Sequence, residues 1–285
     1  MLWFILQFLP KKPLPSKPMH KLRWQPTLFI RASIALHVLA LIFVIAAPMQ
    51  WRWSLGAALA NHGLFLLLGL WPRSHWLGAN WTHLPTAAIA RNEIALTIDD
   101  GPDPLVTLQV LDVLDSYAAK ATFFCIGEKA ENYPDLCREI VRRGHAVENH
   151  TQHHRHYFAM MGYSGFMREL QTAQDTLTHI TGQRPLFFRA PAGLRNPFLD
   201  RALARLGLHL ATWSVRGFDT QIGDAECVKN KLLHGLQAGA ILLLHDGNAA
   251  RTPDGIPVIL EVLPTILASA TAANLRFITL RQALL

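Results

Sequence analysis

The chain opens with two long apolar runs and then changes rhythm. Residues 32–47 (ASIALHVLALIFVIAA) carry no charge and stop at Pro48, and residues 53–71 form a second apolar run that contains Asn61 and His62. Each approaches the roughly 20 residues that a helix needs to cross a hydrocarbon layer. Trp51, Trp53, Trp71, Trp76 and Trp81 fall where interfacial aromatics gather. The pattern predicts two N-terminal transmembrane helices, at about 28–48 and 53–71. Two buried core helices are the competing reading, and the acid-free flanks and tryptophans argue against it. The first run also reads as an uncleaved signal anchor, because no A-x-A cleavage site follows it cleanly.

From Glu93 onward the apolar runs shorten. Candidate strands lie at 93–98, 121–127, 146–150, 186–191, 209–215, 240–245 and 275–280. Helix-like stretches separate them at 105–119, 129–143, 164–180, 197–206, 224–236 and 256–270. Several of the strands are too apolar for a sheet wetted on one face, which argues a parallel α/β arrangement. A barrel and an open doubly wound sheet both fit, and in either the site belongs at the C-terminal strand ends.

Charge divides the chain at the same place. Nine basic residues (Lys11, Lys12, Lys17, Lys21, Arg23, Arg31, Arg52, Arg73 and Arg91) precede the first acid, Glu93. The remaining 18 bases are balanced by all 20 acids, so the net charge of +7 belongs to the N-terminal third. A nucleic-acid surface would need its bases on the folded domain, and that class is disfavoured. The expected organisation is a basic, membrane-bound segment 1–92 followed by a catalytic domain 93–285. Bases before the first run place the N-terminus in the cytoplasm. Two spans would form a hairpin in a bacterial inner membrane and return the domain to the cytoplasmic face, whereas one span would leave it periplasmic. Three cysteines without a CxxC pair suit reduced thiols.

Ionisable residues collect where the predicted strands end. The first strand closes on Asp99–Asp100, the third on His150 followed by HTQHHRH, the fourth on Arg189, the fifth near Arg216 and Asp219, and the sixth on His245. Imidazoles plus a carboxylate suit a divalent transition metal of the zinc type. His150 and His154 are four apart, so one helical turn would put both rings on one face, with His153 and His156 as rivals. Asp100 could complete the set, and of the two adjacent aspartates one would ligate the ion while the other stays free as a base.

IDDGP, HTQHH, RAPAG, SVRGFD and LLLH, in that order, resemble the motifs of the polysaccharide deacetylase family, also called the NodB-homology domain or carbohydrate esterase family 4. The resemblance spans about residues 93–280. It implies an irregular (β/α)7 barrel and a metal-dependent hydrolase that removes N-acetyl groups from an amino sugar of a cell-envelope polysaccharide or a lipid-linked glycan precursor. It implies Asp99 as general base, with Asp100, His150 and His154 as ligands of one divalent ion: zinc, or else cobalt, manganese or nickel. Arg189 would hold Asp99, the Ala192 amide would bind the oxyanion, and Leu243 would line the acetyl pocket. His245 would be the general acid, oriented by Asp219. The implied partners are an N-acetylated glycan and a membrane, with no nucleic acid and no protein partner. Ala192 stands where many relatives carry tyrosine, Arg216 where the family has aspartate and Thr220 where it has tryptophan. Arg216 at the entrance suits an anionic substrate, or else pairs with a local acid such as Asp224. The competing functions are hydrolysis of another C–N bond or an O-acetyl ester, and a catalytically silent carbohydrate-binding protein.

Overall fold

Both apolar runs form helices that pack on each other. The structure is a computed structural model that describes residues 23–285; Lys11, Lys12, Lys17 and Lys21, with the topology argument resting on them, lie outside the described residues. Helix α1 (Leu28–Ala46) is capped by Thr27 and stops before a short 3₁₀ turn at Pro48–Gln50, and α2 (Trp51–Gly69) runs back beside it. The polar groups of the hairpin satisfy one another. Asn61 Nδ2 donates to Ser33 Oγ at 2.6 Å, Ser54 Oγ donates to Ala40 O at 3.0 Å, and His37 lies edge-on to His62. Among the described residues only α1 is long and apolar enough to cross a membrane. The expectation of two such helices is corrected on α2, whose Arg52, Asn61 and His62 dilute its apolar character.

A linker carrying α3 (Thr86–Ala90) leads to β1 (Glu93–Asp99). Then follow α4 (Thr107–Ser116), β2 (Ala121–Cys125), α5 (Gly127–Asn132), α6 (Pro134–Arg142), β3 (Ala146–Asn149) and α7 (Tyr163–Thr181). The chain continues through β4 (Phe187–Phe188), α8 (Pro197–Leu206), β5 (His209–Leu210), β6 (Val215–Arg216), α9 (Ala225–Leu233), β7 (Ile241–His245), α10 (Val258–Ala272) and β8 (Arg276–Phe277). The expected 129–143 helix divides at Pro134, which opens α6 because proline fits a first helical position and breaks an interior one. The expected 209–215 strand also divides, into β5 and β6, and so eight strands replace seven.

Every strand pairing is parallel, in the order β5-β4-β3-β2-β1-β7-β6, with β8 on the N-terminal end of β1. The sheet curls without pairing β5 to β6, so the irregular (β/α)7 barrel that the resemblance implies takes the form of an open, curled half-barrel. The divided strand crosses the opening: Ala211 N still donates to Phe188 O of β4 and Ser214 N to Ile241 O of β7, while Ala211 makes an isolated bridge to Trp81 of the linker.

Strand β1 is buried along its whole length, yet its two faces differ. Leu96 and Ile98 join Leu242 and Leu244 of β7 against α4, α9 and α10. The alternate residues Thr97 and Asp99 register with Leu243 and His245 of β7 and face the inside of the curl. One strand thus supplies an apolar layer and a polar column.

Candidate active site

Asp99 and Asp100 occupy one strand end but face different partners. Asp99 Oδ1 accepts from Arg189 Nη1 at 2.7 Å. Arg189 is fully buried and spends its remaining donors on Thr97 Oγ1, Ala211 O and Thr212 O, so it closes the seam left open between β5 and β6. Phe124 packs beneath the guanidinium, 4.2 Å from its ring centroid. Burial lowers the Arg189 pKa while Asp99 pulls it back up. A buried charge of this kind is tolerable only when fully paired, and here every branch of the fork is used.

Asp100 leaves the strand in the left-handed region, at φ 70°. That turn swings its carboxylate to the histidine loop, where Oδ1 lies 3.1 Å from His150 Nε2 and 3.2 Å from His154 Nε2. Its Oδ2 accepts from Asn248 Nδ2 at 3.2 Å, and its carbonyl accepts from Lys129 Nζ at 2.8 Å. One donor atom from each of Asp100, His150 and His154 falls within 4.8 Å of the others. The expected helical turn between the histidines is corrected here. Residues 150–154 form a loop in which Thr151 and His154 both have positive φ, and Thr151 Oγ1 accepts from His154 N at 2.8 Å. The loop, not helical periodicity, brings the rings together. His153 bonds Glu169 Oε1 and His156 is exposed, so neither rival reaches the cluster.

The donor chemistry fits a divalent ion. His150 Nδ1 lies 2.8 Å from Arg189 O, an acceptor, which fixes the tautomer with the proton on Nδ1 and leaves the Nε2 lone pair toward Asp100. This backbone support is what metal-ligating histidines carry. Burial opposes the charged form of His150, and the Asp99 and Asp100 carboxylates outweigh it and raise its pKa. Burial, with the neighbouring His150, lowers His154 to about 4. Asp100 is held well below the usual carboxylate range, because the histidines outweigh its burial.

Across the curl, His245 stands in register with Asp99. Asp219 receives its backbone N–H at 2.7 Å and its Nδ1 at 2.9 Å, which fixes the ring with Nε2 free. Burial disfavours the His245 cation, but Asp219, and behind it Asp99 and Asp100, raise the pKa. Leu243 is buried on the same inner face, two residues before His245. Ala192 sits in a 3₁₀ turn after β4 at φ 53°, a backbone shape that L-residues rarely adopt. Left-handed geometry at Asp100, Thr151, His154 and Ala192 is the kind of local strain that clusters at functional sites.

Sequence reasoning missed a supporting layer. Asp246 is buried beneath the turn after β1: it accepts from Thr107 Oγ1 at 2.6 Å, and a Cβ on Gly101 would lie 2.4 Å from its Oδ1. Burial raises its pKa to about 7. Asp246, Asn248 and Lys129 all brace the strand end that carries Asp99 and Asp100. Only the run HDGN after β7 could have flagged the first two.

Comparison with known proteins places the chain among sugar deacetylases. The family profile described as polysaccharide deacetylase matches residues 87–211. A chitooligosaccharide deacetylase of Azorhizobium caulinodans is 37% identical over 164 residues, covering 56% of this chain and 78% of that protein. A peptidoglycan-N-acetylglucosamine deacetylase of Bacillus cereus is 31% identical over 208 residues, covering 70% and 92%. Among solved structures, a peptidoglycan N-acetylglucosamine deacetylase in complex with a naphthyl-bearing N-oxidanyl-benzamide superposes with TM-score 0.65 at 26% identity, over 72% of this chain and 92% of that one. A family pseudoenzyme from Bacillus anthracis shares the fold with TM-score 0.64 at 18% identity, over 72% and 69%. The shared fold therefore does not by itself decide activity. The motifs, the site and the relatives converge: this chain belongs to the polysaccharide deacetylase family, the carbohydrate esterase family 4 hydrolases that remove N-acetyl groups from sugars.

Proposed function

We propose that the protein is a membrane-anchored, metal-dependent deacetylase of a 2-acetamido sugar in a cell-envelope glycan or its lipid-linked precursor. The observation that carries this reading is the convergence of Asp100, His150 and His154 beside an Asp99 whose Oδ2 lies 4.0 Å from His150 Nε2. The catalytic unit is residues 93–285, tethered by 1–92.

Asp100, His150 and His154 would hold one divalent ion, zinc by donor type. When bound, such an ion supplies Lewis-acid polarisation of the acetyl carbonyl and a lowered pKa for water. Asp99, fixed by Arg189, takes the proton from the attacking water. The Ala192 amide stabilises the oxyanion of the tetrahedral intermediate. His245, kept cationic by Asp219, donates a proton to the departing amine, a poor leaving group until protonated. Leu243 supplies the apolar wall for the acetyl methyl.

Helix α1 is the proposed anchor. Trp24 Nε1 donates to Asp200 at 3.0 Å, and Thr27 Oγ1 donates to Trp76 O at 2.6 Å. The start of α1 and the end of α2 therefore meet against the same domain, so a membrane crossed by α1 lies directly beside the catalytic unit. A reporter fused after Leu285 reads the side: periplasmic activity would fit α1 as a single span, and cytoplasmic activity would require α2 to cross as well.

The functional test is acetate release from N-acetylchitooligosaccharide and from peptidoglycan by the full chain in detergent. Activity should vanish with a chelator and return with zinc. No acetate from either glycan or from a polyprenyl-diphosphate-linked N-acetylglucosamine, with the metal shown to be bound, would refute the deacetylase reading.

A further inference from the structure

Where α2 ends, its exposed apolar surface meets a cavity of ≈ 370 Å³ whose charged lining residues, Arg73 and Arg216, are both basic. Leu59, Leu66 and Leu67 of α2 are each more than 60% exposed. They lead to Trp71 and then to Arg73, whose Nη1 donates to Ser214 O at 3.3 Å on the cavity wall. The opposite wall is Arg216. Its guanidinium stacks 5.2 Å from the Trp213 ring centroid and 4.9 Å from that of Phe218, while its Nε is buried without a hydrogen-bond partner. Lys231 adds a third cation 6.0 Å from the Phe218 ring. No carboxylate lines the cavity, and among the described residues neither Arg73 nor Arg216 has an ion-pair partner. Asp224, the local acid offered as an alternative partner for Arg216, instead caps α9 by accepting from Glu226 N and Cys227 N. A planar guanidinium fixed by aromatic rings, with an unused buried donor, is poised for a multivalent oxyanion.

The position is as informative as the charge. Arg216 registers with Leu243 on β7, and His245 lies two residues, about 7 Å, further along that strand. Arg216 therefore stands one short step from the proposed general acid. In a 2-acetamido sugar the acetamido group and the anomeric substituent are on adjacent ring carbons. An anion on C1 would thus reach this cavity while the acetyl group occupies the reaction centre.

We propose that the Arg73–Arg216 cavity binds the phosphate or diphosphate joining C1 of a 2-acetamido sugar to a membrane lipid, with the lipid chain laid along the apolar face of α2. The proposal rests on the deacetylase reading and narrows its substrate from envelope glycans in general to a lipid-linked precursor. The cavity gives a neutral polysaccharide no counterpart for its guanidinium groups, and the apolar face of α2 gives a soluble nucleotide sugar nothing to bind.

The test is direct binding, which does not depend on turnover. Full-length protein in detergent micelles is titrated with farnesyl diphosphate, inorganic diphosphate and farnesol, with tryptophan fluorescence as the readout. Farnesyl diphosphate should bind well ahead of the other two. Arg73→Gln together with Arg216→Gln should weaken it by about tenfold or more, the loss expected for charge-assisted hydrogen bonds. Arg73→Gln alone, at an exposed position that does not endanger folding, should weaken it measurably. Equal binding of inorganic diphosphate would mark a soluble-anion site and overturn the proposal; so would wild-type affinity in the double variant or no binding of farnesyl diphosphate. Acetate release, whether from chitooligosaccharide or from a polyprenyl-diphosphate-linked N-acetylglucosamine, reports on the deacetylase reading, and micelle binding reports on the cavity without turnover, so the two failures are distinguishable. With an active enzyme, the double variant should lower turnover of a polyprenyl-diphosphate-linked N-acetylglucosamine relative to chitooligosaccharide, and an unchanged ratio would count against the cavity.

Discussion

Asp99 and Asp100 are neighbours in sequence, yet the two halves of the site they begin are built by opposite means. Asp99 stays on its strand and meets Arg189 within the curl of the sheet, where every guanidinium branch is bonded and the arginine is fully buried. Asp100 leaves the strand through a left-handed turn and meets two histidines on a loop that has left-handed turns of its own. The first half is held by the sheet and cannot change without damage to the fold. The second is held by loop geometry and mutual hydrogen bonds, and is open to an ion that replaces them. Adjacent like charges are tolerable because each has its own cationic or hydrogen-bonding partners.

The largest effect should follow from breaking the sheet-borne half. Arg189→Ala leaves Asp99 buried without its counter-ion and opens the seam at Ala211 and Thr212. Removal of one partner of a buried pair costs about 3–5 kcal/mol, and both thermal stability and turnover should collapse. Asp99→Asn keeps the shape and a hydrogen-bond acceptor for Arg189. Turnover should fall by about 10²–10⁴-fold, the usual contribution of a general base, while metal content stays near wild type. Full activity in this variant would sink the base assignment.

The loop-borne half should fail differently. His150→Ala should lose both metal and activity but leave the sheet core intact, so its apo-form melting temperature should stay much closer to wild type than that of Arg189→Ala. Equal destabilisation by the two variants would erase the contrast between the halves. The readouts are metal analysis after dialysis and calorimetry on the metal-free proteins.

These differences also explain what could be read from the chain beforehand. Apolar runs located β1, β2, β3 and β7 to within a residue or two, because strands buried on both faces announce themselves by composition. The break of 209–215 and the opening of the sheet were not legible, since they depend on Arg189 capturing Ala211 O and Thr212 O from a different strand. Motif order brought together Asp99, Asp100, His150, His154, Arg189, Asp219 and His245, but the helical spacing argued for the histidine pair was the wrong cause. Positive φ at Thr151 and His154 has no signature in residue type, and support from Asn248 and Lys129 arises only through tertiary contact.

A smaller effect, still measurable, concerns pH. His245 has a raised pKa, so its cation persists above the ordinary imidazole value of about 6.5. The general acid is therefore loaded on the acid side and is lost as pH rises through the raised value, which sets the alkaline limb of the rate profile. The stability of the Asp219–His245 pair has the same sign: full below the unfolded pKa and lost as pH rises through the folded one. Asp219→Asn should move the alkaline limb down by about 1–3 pH units and leave metal content unchanged. An unshifted limb would remove His245 from the acid role.

The smallest expected change tests whether the loop elements really store strain. Ala192 holds φ 53° in the turn proposed to carry the oxyanion donor. Left-handed geometry costs a residue with a Cβ about 1–2 kcal/mol, whereas glycine adopts it freely at an unfolded-state entropy cost of about 0.5–1 kcal/mol. Ala192→Gly should therefore raise stability by up to about 1 kcal/mol, or roughly 2–4 °C in melting temperature. The added freedom should loosen the turn and lower kcat more than it alters KM, because the oxyanion contact forms only as the reaction proceeds. A marked loss of stability would show that the Ala192 methyl contributes packing, and that the turn is held by contacts in the manner of the Asp99 half.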